Sequence, residues 1–233
     1  MRTAVVTGAS RGIGRAVAEL LVRDGSRVYL LARTEQQLRH VASSLGERAV
    51  PIVCDVTDAQ AVQHAVRVIA GETGGAPDLL VNNAGIFPLE AMHLLETADL
   101  EHTLSVNVVS PFRFVRAFLP TMKQRGSGMI ITVGSVADRA IFAENGAYAA
   151  SKHAQRAMHE VLRQETLGTG VRVSLVSPGP TDTSIWDAID PDTREGFPAR
   201  SQMLSASTVA GAIHWVVTAP RELNVDELRL SRS

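Results

Sequence analysis

Residues 3–14 read TAVVTGASRGIG, a short apolar stretch that runs directly into glycines at positions 8, 12 and 14. The stretch Thr3–Thr7 predicts a buried strand, and the apolar spacing from 15 to 22 predicts a helix that stops at Gly25. Between a strand and a helix, glycines let the backbone approach a pyrophosphate at the helix N-terminus. The spacing is GxxxGxG rather than GxGxxG, and three glycines can also simply make a turn. The position of the turn nevertheless favours the binding of a dinucleotide.

Apolar stretches alternate with helical patterns along the rest of the chain. Further strands are predicted near 27–31, 50–53, 78–81, 129–133, 171–176 and 227–230. Helices are predicted near 35–45, 58–72, 94–107, 112–125, 145–167 and 208–218. Because this alternation is typical of a parallel sheet covered on both faces, we predict an α/β fold with a doubly wound parallel sheet of about seven strands. One domain is expected over 1–233, with an aperiodic insertion near 184–205 that covers the cleft.

The composition argues against several classes of protein. The net charge is −1 and no basic run is interleaved with aromatic residues, so no nucleic-acid partner is expected. No apolar stretch reaches the roughly 18 residues that span a bilayer, so no membrane span is expected. The histidines lack metal-ligand spacing, so no metal is expected. Cys54 is the single cysteine, and we interpret it as a buried hydrophobe rather than a reactive thiol. With no signal peptide, the sequence predicts a cytoplasmic location.

Arg33 follows the second predicted strand, 19 residues beyond Gly14. An acidic residue at this place would hold the ribose 2′-hydroxyl of NAD, whereas an arginine suits the 2′-phosphate of NADP. Arg11, within the glycine turn, is expected to reach the same phosphate. The alternative is that both are solvated surface arginines, but the absence of an acid at this strand end favours NADP(H).

Polar residues also follow the third and fourth predicted strands. Asp55, followed by Val56, either hydrogen-bonds the adenine amine or serves as a turn carboxylate, and the two interpretations stay equally open. Asn82 and Asn83 are interpreted as holding the cofactor loop together through side-chain hydrogen bonds. Both groups stand at carboxyl ends of strands, where doubly wound sheets bind ligands.

Tyr148 and Lys152 lie four residues apart on one predicted helix and so share a face. Basic residues in this chain are almost all arginine, and Lys152 is one of only two lysines. A nearby ammonium is expected to lower the pKa of the Tyr148 phenol, which then exchanges a proton with a carbonyl or alcohol oxygen. Ser135, which follows the fifth strand, is placed to hold that oxygen. Taken alone, the spacing also fits an ordinary surface pair.

Six motifs occur along the chain in a fixed order. They are TGASRGIG at 7–14, NNAG at 82–85, Asn107 within SVNVVSPF, Ser135 within ITVGSVAD, YAASK at 148–152 and SPGPTDT at 177–183. With this set spread over nearly its whole length, the chain resembles the classical short-chain dehydrogenase/reductase family.

The resemblance implies a Rossmann-like fold, a nicotinamide cofactor and a homodimer or homotetramer. It implies a catalytic tetrad of Asn107, Ser135, Tyr148 and Lys152, in which Lys152 also holds the nicotinamide ribose and Asn107 supports a water in a proton relay. The candidate cofactor-binding residues are Gly8, Ser10, Arg11, Gly12, Ile13, Gly14, Arg33, Asp55, Val56, Asn83, Ala84, Gly85, Tyr148, Lys152, Pro178, Gly179, Thr181 and Thr183.

Two positions depart from the family pattern. Gly134 stands where many members have a second serine, and Asp138 stands where glycine is frequent. These departures bear on the substrate side of the site. Taken singly, Phe87, Phe142 and Trp186 each favour ordinary packing, but as a trio around the cleft they are interpreted as an apolar substrate wall. His153 is expected to pack away from the cleft or lie at the surface.

We therefore expect an NADP(H)-dependent oxidoreductase that reduces a ketone or aldehyde, or oxidises the matching alcohol, with Tyr148 as general acid and base. Its expected partner is a small carbonyl or alcohol. The alternatives are a catalytically weak protein that senses NADP(H), and an NAD-linked alcohol dehydrogenase.

Overall fold

The computed structural model describes residues 2–233, which alternate between strands and helices. The strands are β1 Thr3–Thr7, β2 Arg27–Ala32, β3 Ala49–Val53, β4 Leu79–Asn82, β5 Gly128–Val133, β6 Val171–Pro178, β7 Thr181–Asp182, β8 Leu204–Ser205 and β9 Glu227–Leu230. The α-helices are α1 Gly12–Arg23, α2 Glu35–Leu45, α3 Ala59–Thr73, α4 Thr97–Leu104, α5 Ser110–Gln124, α6 Gly146–Thr166 and α7 Ala206–Thr218.

Seven of these strands form one parallel sheet in the order β3-β2-β1-β4-β5-β6-β9. Strand β1 lies between β2 and β4, so that Ala4 is paired with Val28 on one side and Leu79 on the other. The chain moves outward from β1 to β3 and then returns to the other side of β1. This reversal leaves a crevice at the carboxyl ends of β1 and β4, which is where doubly wound sheets bind ligands. The predicted seven-stranded fold is confirmed.

Successive residues of β1 face two different helical layers, because side chains alternate along a strand. Val6 packs in a buried cluster with Leu21 of α1 and Val216 of α7. Val5 packs in the other cluster, with Ile69 of α3 and Phe114 of α5. Both faces of the sheet are therefore covered, and its loops at the carboxyl end are left to form a site.

The prediction of two separate helices near 94–107 and 112–125 is wrong. The structure has one continuous helical run, in which a π-helical turn at Ser105–Val109 joins α4 to α5. Pro111 lies at the start of α5, directly after the π-turn, and the helical run continues through it. A π-turn adds a residue to the helical repeat and is frequent at functional sites; here it contains Asn107.

The insertion predicted near 184–205 contains short turns rather than a regular element. Its end, β8, pairs with β7 in a small parallel ribbon. Arg200 fixes the segment from inside, because its guanidinium donates to Asp182 Oδ1 at 2.9 Å and to Asp187 Oδ1 at 2.8 Å. The segment is thus held against β7, which follows β6 beside the crevice.

Three further features bear on the expectations from composition. No helix within residues 2–233 combines the length and apolarity that crossing a membrane needs. Over that same range, no three His, Cys, Asp or Glu side chains are grouped as a metal site requires. Burial raises the pKa of the Cys54 thiol to about 12, which agrees with its interpretation as a core hydrophobe.

Candidate active site

A cavity of about 470 Å³ lies at the carboxyl ends of the central strands. Every predicted catalytic or cofactor-binding residue lines it except Gly14 and Asn107. The structure therefore brings nearly all candidates to one surface, although they come from six strand ends and α6. The two exceptions lie behind the surface and support it.

The glycine turn is shaped by close backbone contacts. Gly8 and Gly12 have φ angles of +66° and +56°, a left-handed region that favours glycine. A Cβ at Gly14 would lie 2.4 Å from the carbonyl oxygen of Gly8, so a side chain there would push α1 away from the turn. No side chain of the described residues caps the start of α1 at Arg11. The turn therefore presents bare backbone and free N–H groups toward the cavity, which fits an anionic pyrophosphate.

Asn83 ties the glycine turn to β4, as predicted. Its Nδ2 donates to the carbonyl oxygens of Thr7 at 2.9 Å and Gly8 at 3.3 Å. The prediction is wrong for Asn82, whose buried amide finds no hydrogen-bond partner among residues 2–233. The hydroxyl of Thr7, which sequence reasoning missed, accepts from the backbone of Asn83 and Ala84 instead.

Arg11 and Arg33 are both exposed at the edge of the cavity. Neither guanidinium forms an ion pair with another residue of the described chain. Both are therefore available to an anion from outside the protein. This is the arrangement that a 2′-phosphate on a bound ribose requires.

Asp55 has the turn role, one of the two roles that the sequence left open, and it also faces the cavity. Its Oδ1 accepts from the backbone N–H of Thr57 at 2.9 Å and from the Thr57 hydroxyl at 2.7 Å. Partial burial favours a higher pKa of Asp55, but the Thr57 hydrogen bonds and Arg33 outweigh it and hold the pKa below its usual value. The carboxylate is thus a turn residue that also lines the cavity.

Tyr148 and Lys152 project from α6 toward the end of β5. The Lys152 side chain is buried, and its Nζ donates to the carbonyl oxygen of Val133 at 3.1 Å. Nζ also lies 5.5 Å from the centre of the Tyr148 ring. Ser135 follows β5 and lines the same cavity. The predicted grouping of these three side chains is present.

The expected lowering of the Tyr148 pKa is wrong for this structure. Burial raises the pKa of Tyr148 to about 12, the Ser135 hydroxyl opposes the rise, and the charge of Asp138 adds to it. Burial lowers the pKa of Lys152 to about 7, and Asp138 opposes that fall. Because both groups share one poorly solvated pocket, desolvation outweighs the attraction between an ammonium and a phenolate.

Asn107 is fully buried behind the cavity in the π-turn. Its Oδ1 accepts from the backbone N–H of Ile86 at 3.0 Å, and its Nδ2 donates to the Ile86 carbonyl at 3.0 Å and to Ser151 Oγ at 2.9 Å. Ser151 in turn donates to the carbonyl of Tyr148 at 2.7 Å. Asn107 therefore joins the loop after β4 to the turn of α6 that carries the tyrosine. The amide nitrogen of Asn107 donates two of these hydrogen bonds and the amide oxygen accepts the third.

Four aromatic side chains form a continuous wall beside Tyr148. The ring of Phe87 lies 4.5 Å from that of Tyr148 and 5.1 Å from that of Trp186. Phe197 lies 5.9 Å from Trp186 and 5.7 Å from Phe142. The three aromatics predicted for the wall do line the cavity. Phe197 does not itself line the cavity but packs against Trp186 and Phe142. It was missed because it stands in the aperiodic insertion, where an aromatic residue was the only available signal.

His153 takes no part in this site, as predicted. Its Nδ1 lies 2.8 Å from the carbonyl oxygen of Ala149. This contact turns the ring back along α6 and away from the face that carries Lys152.

The fold and the site together define a doubly wound α/β protein with a glycine-lined cleft at its switch point and a Ser, Tyr and Lys group beside it. A model of the short chain dehydrogenase family matches residues 2–194. The chain belongs to that family and is an oxidoreductase.

Relatives and solved structures agree over almost the whole chain. An uncharacterized oxidoreductase of Staphylococcus aureus strain MW2 is 32% identical over 228 residues, which are 97% of this chain and 95% of the relative. The alcohol dehydrogenase of the archaeon Thermococcus sibiricus, complexed with 5-hydroxy-NADP, is 29% identical, with a TM-score of 0.87 over 99% of this chain and 96% of its own. A serine dehydrogenase in its closed form with NADP+ is 28% identical, with a TM-score of 0.89 over 98% of this chain and 94% of its own.

Proposed function

We propose that this protein is an NADP(H)-dependent carbonyl reductase that also oxidises the matching alcohol. The observation that carries the proposal is that Tyr148, Lys152 and Ser135 line the same cavity as the glycine turn and Arg33. Proton-handling groups and an anion-binding surface are thereby joined in one space. Two of the similar structures contain NADP+ or 5-hydroxy-NADP, which supports this choice of cofactor.

The residues present fit a dinucleotide with a 2′-phosphate. The turn at Gly8 and Gly12 and the uncapped start of α1 would hold the pyrophosphate. Arg11 and Arg33 would hold the 2′-phosphate, and Asp55 stands where the adenine would lie. Lys152 would hold the nicotinamide ribose. The bound cofactor supplies or accepts the hydride.

Beside the turn, Val56, Ala84 and Gly85 would pack along the adenosine side of the cofactor. Pro178, Gly179, Thr181 and Thr183 would lie along the nicotinamide. A Cβ at Gly12 would lie 3.2 Å from Thr183 Cγ2. The glycine turn and the segment that carries Thr183 therefore approach each other closely across the cleft.

The protein's own groups supply the proton and the orientation. Ser135 holds the substrate oxygen, and Tyr148 donates a proton to it during reduction. The raised pKa of Tyr148 keeps the phenol protonated at neutral pH, which suits a general acid. In the reverse direction, the Tyr148 phenolate, stabilised by the Lys152 ammonium, accepts the proton of the alcohol and becomes the phenol.

The aromatic wall favours a carbonyl whose substituent is apolar. The Phe87 ring contacts the Tyr148 ring directly, so a group beside the reacting carbonyl meets aromatic carbon rather than charge. Flat aryl or branched alkyl ketones would bury their apolar area there, at about 25 cal/mol per Å². The segment near 184–205, which carries Trp186 and Phe197, would cover such a substrate. We further propose a homodimer or homotetramer.

The test is NADPH consumption, followed by its absorbance, with a panel of ketones and aldehydes. The Tyr148→Phe variant is expected to lose turnover by at least about a hundredfold, the contribution of a general acid, while still quenching or shifting NADPH fluorescence on binding. Tyr29→Phe, at the only other tyrosine, is the matched control and keeps activity. Turnover by Tyr148→Phe at the wild-type rate would refute the assignment.

A further inference from the structure

The two positions that depart from the family pattern belong to one buried cluster. A Cβ at Gly134 would lie 2.8 Å from Ser177 Oγ and 3.0 Å from Leu175 Cδ1. A side chain at 134 would therefore have to displace the Ser177 hydroxyl and the Leu175 side chain of β6. The same Ser177 hydroxyl donates to Asp138 Oδ2 at 3.0 Å. We call Gly134, Ser177 and Asp138 the Asp138 anchor.

The anchor fixes the turn that presents the Ser135 hydroxyl. Ser135 begins a 3-10 turn at Val136–Asp138, and its Oγ accepts from the backbone N–H of Ala137 at 3.2 Å. The N–H of Asp138 donates to the carbonyl of Ser135 at 3.0 Å. The far end of this turn is then joined to β6 through the Asp138 side chain. Only two residues separate Asp138 from Ser135, so any shift of Asp138 is passed to Ser135.

The anchor also places a carboxylate inside the protein. Asp138 is 1% exposed, and its Oδ1 makes no hydrogen bond to any residue in the described range. Arg139, from the same turn, lies 3.7 Å from Oδ1 but is also paired with Glu227 of β9. Because Arg139 is shared with Glu227, this buried carboxylate is only partly neutralised, and its charge acts over a long range in a poorly solvated interior.

The charged and titratable groups around this carboxylate come from three elements. Arg139 stands on its own turn, Glu227 on β9, and Tyr148 and Lys152 on α6. The charge of Asp138 raises the pKa of both α6 groups, which opposes burial at Lys152 and adds to burial at Tyr148. Removing the charge should let both groups lose their protons at lower pH.

We propose that Asp138 is a positioning residue for the reaction, held by Ser177, which fixes the turn carrying the Ser135 hydroxyl and supplies a buried negative charge that acts on Tyr148 and Lys152. The proposal rests on the proposed function, since it assigns catalytic roles to Ser135, Tyr148 and Lys152. It also explains why glycine stands at 134: the Ser177 hydroxyl occupies the space that a side chain would need.

The first test is the pH profile of kcat/KM for carbonyl reduction in Asp138→Asn. The amide keeps an oxygen for the Ser177 hydroxyl but loses the charge. Because the acid form of Tyr148 and the ammonium of Lys152 are both needed and Asp138 raises the pKa of both, the alkaline limb should move to lower pH by about one unit, the low end of the effect of a nearby charge. Asp24→Asn removes an exposed carboxylate far from the cavity and should leave the limb in place. An unmoved limb in Asp138→Asn overturns the proposal.

The second test needs no turnover. Gly134→Ala should lower the Tm by displacing the Ser177 hydroxyl, and Ser177→Ala should lower it by leaving Asp138 without its donor. If the three residues form one unit, the variant that combines Gly134→Ala with Ser177→Ala should show a fall in Tm clearly smaller than the sum of the falls in the two single variants. Additive losses overturn the anchor. This result is read from unfolding alone, so it stays distinct from a failure of the proposed function, which retained activity in Tyr148→Phe would reveal.

In the active enzyme, Ser177→Ala should lower kcat/KM about tenfold or more, because small displacements of a reacting group are costly, while the alkaline limb keeps its wild-type position. If the alkaline limb moves as far in Ser177→Ala as in Asp138→Asn, the proposal that Ser177 acts only by holding Asp138 in place, and not through its charge, is contradicted.

Discussion

Replacing Lys152 with methionine should stabilise the protein while abolishing its activity. Burial lowers the pKa of Lys152 from 10.5 to about 7. At about 1.4 kcal/mol per pKa unit, holding this ammonium inside the fold costs about 4 kcal/mol at pH 7. The variant also loses the 3.1 Å hydrogen bond to Val133, which contributes about 1 kcal/mol. The expected net gain is about 3 kcal/mol at pH 7, or about 6–12 °C in Tm for a chain of this size.

The pH dependence of this difference in the free energy of unfolding follows from which state of the chain binds the Lys152 proton. Below pH 7, Lys152 is protonated in both the folded and the unfolded chain, and the full cost of burial is present. Between pH 7 and pH 10.5, the unfolded chain binds the extra proton, so the stability of the wild type rises with pH. Methionine carries no proton, and its advantage should shrink to about 1 kcal/mol at pH 9 by the same relation.

The assay is chemical unfolding of wild type and variant at pH 7 and pH 9. Lys123→Met is the matched control, because Lys123 is the only other lysine and is exposed. It should change stability by no more than about 0.5 kcal/mol, as surface substitutions do. The reasoning is refuted if Lys152→Met is no more stable than wild type at pH 7, or if its advantage is the same at both pH values.

Three further substitutions or treatments test other parts of the site. Arg33→Asp should lower kcat/KM with NADPH about tenfold to a hundredfold, the value of a charged hydrogen bond, and improve the relative use of NADH; an unchanged cofactor ratio would contradict the assignment of Arg33. Phe197→Ala should raise KM for aryl ketones about tenfold or more by removing about 2 kcal/mol of apolar contact, with little change for a small aldehyde; equal losses for both substrates would exclude a role in the wall. Cys54, whose pKa is raised to about 12, should react with a thiol reagent at pH 8 only after unfolding, and rapid labelling of the native protein would show that its burial is overstated.

The parts of the site that were predictable are those where backbone geometry dictates residue type. The glycine turn needs left-handed φ angles at Gly8 and Gly12, and only a small residue fits where Gly14 meets the Gly8 carbonyl. The spacing of Tyr148 and Lys152 likewise fixes a shared helix face. Such constraints are local, so they can be recognised in the sequence.

The parts that were not predictable depend on partners distant along the chain. The role of Asn107 follows from a π-turn and from Ile86 and Ser151, which lie 21 and 44 residues away. The place of Phe197 depends on how the aperiodic segment folds back over the cleft. The pKa of Tyr148 depends on how deeply α6 is buried, which no spacing of residues shows.

The choice of lysine at position 152 follows from this burial. The chain uses arginine almost everywhere that it needs a positive charge, yet among residues 2–233 no arginine is as buried as Lys152. An arginine keeps its proton in any environment, so burying one carries the full desolvation cost of the charge. A lysine can lose its proton, and its stability cost is thereby limited by its own pKa. The proposed role of Lys152 therefore calls for a cation that can be buried and tuned, and the charge of Asp138 raises the pKa of Lys152 back toward the protonated form.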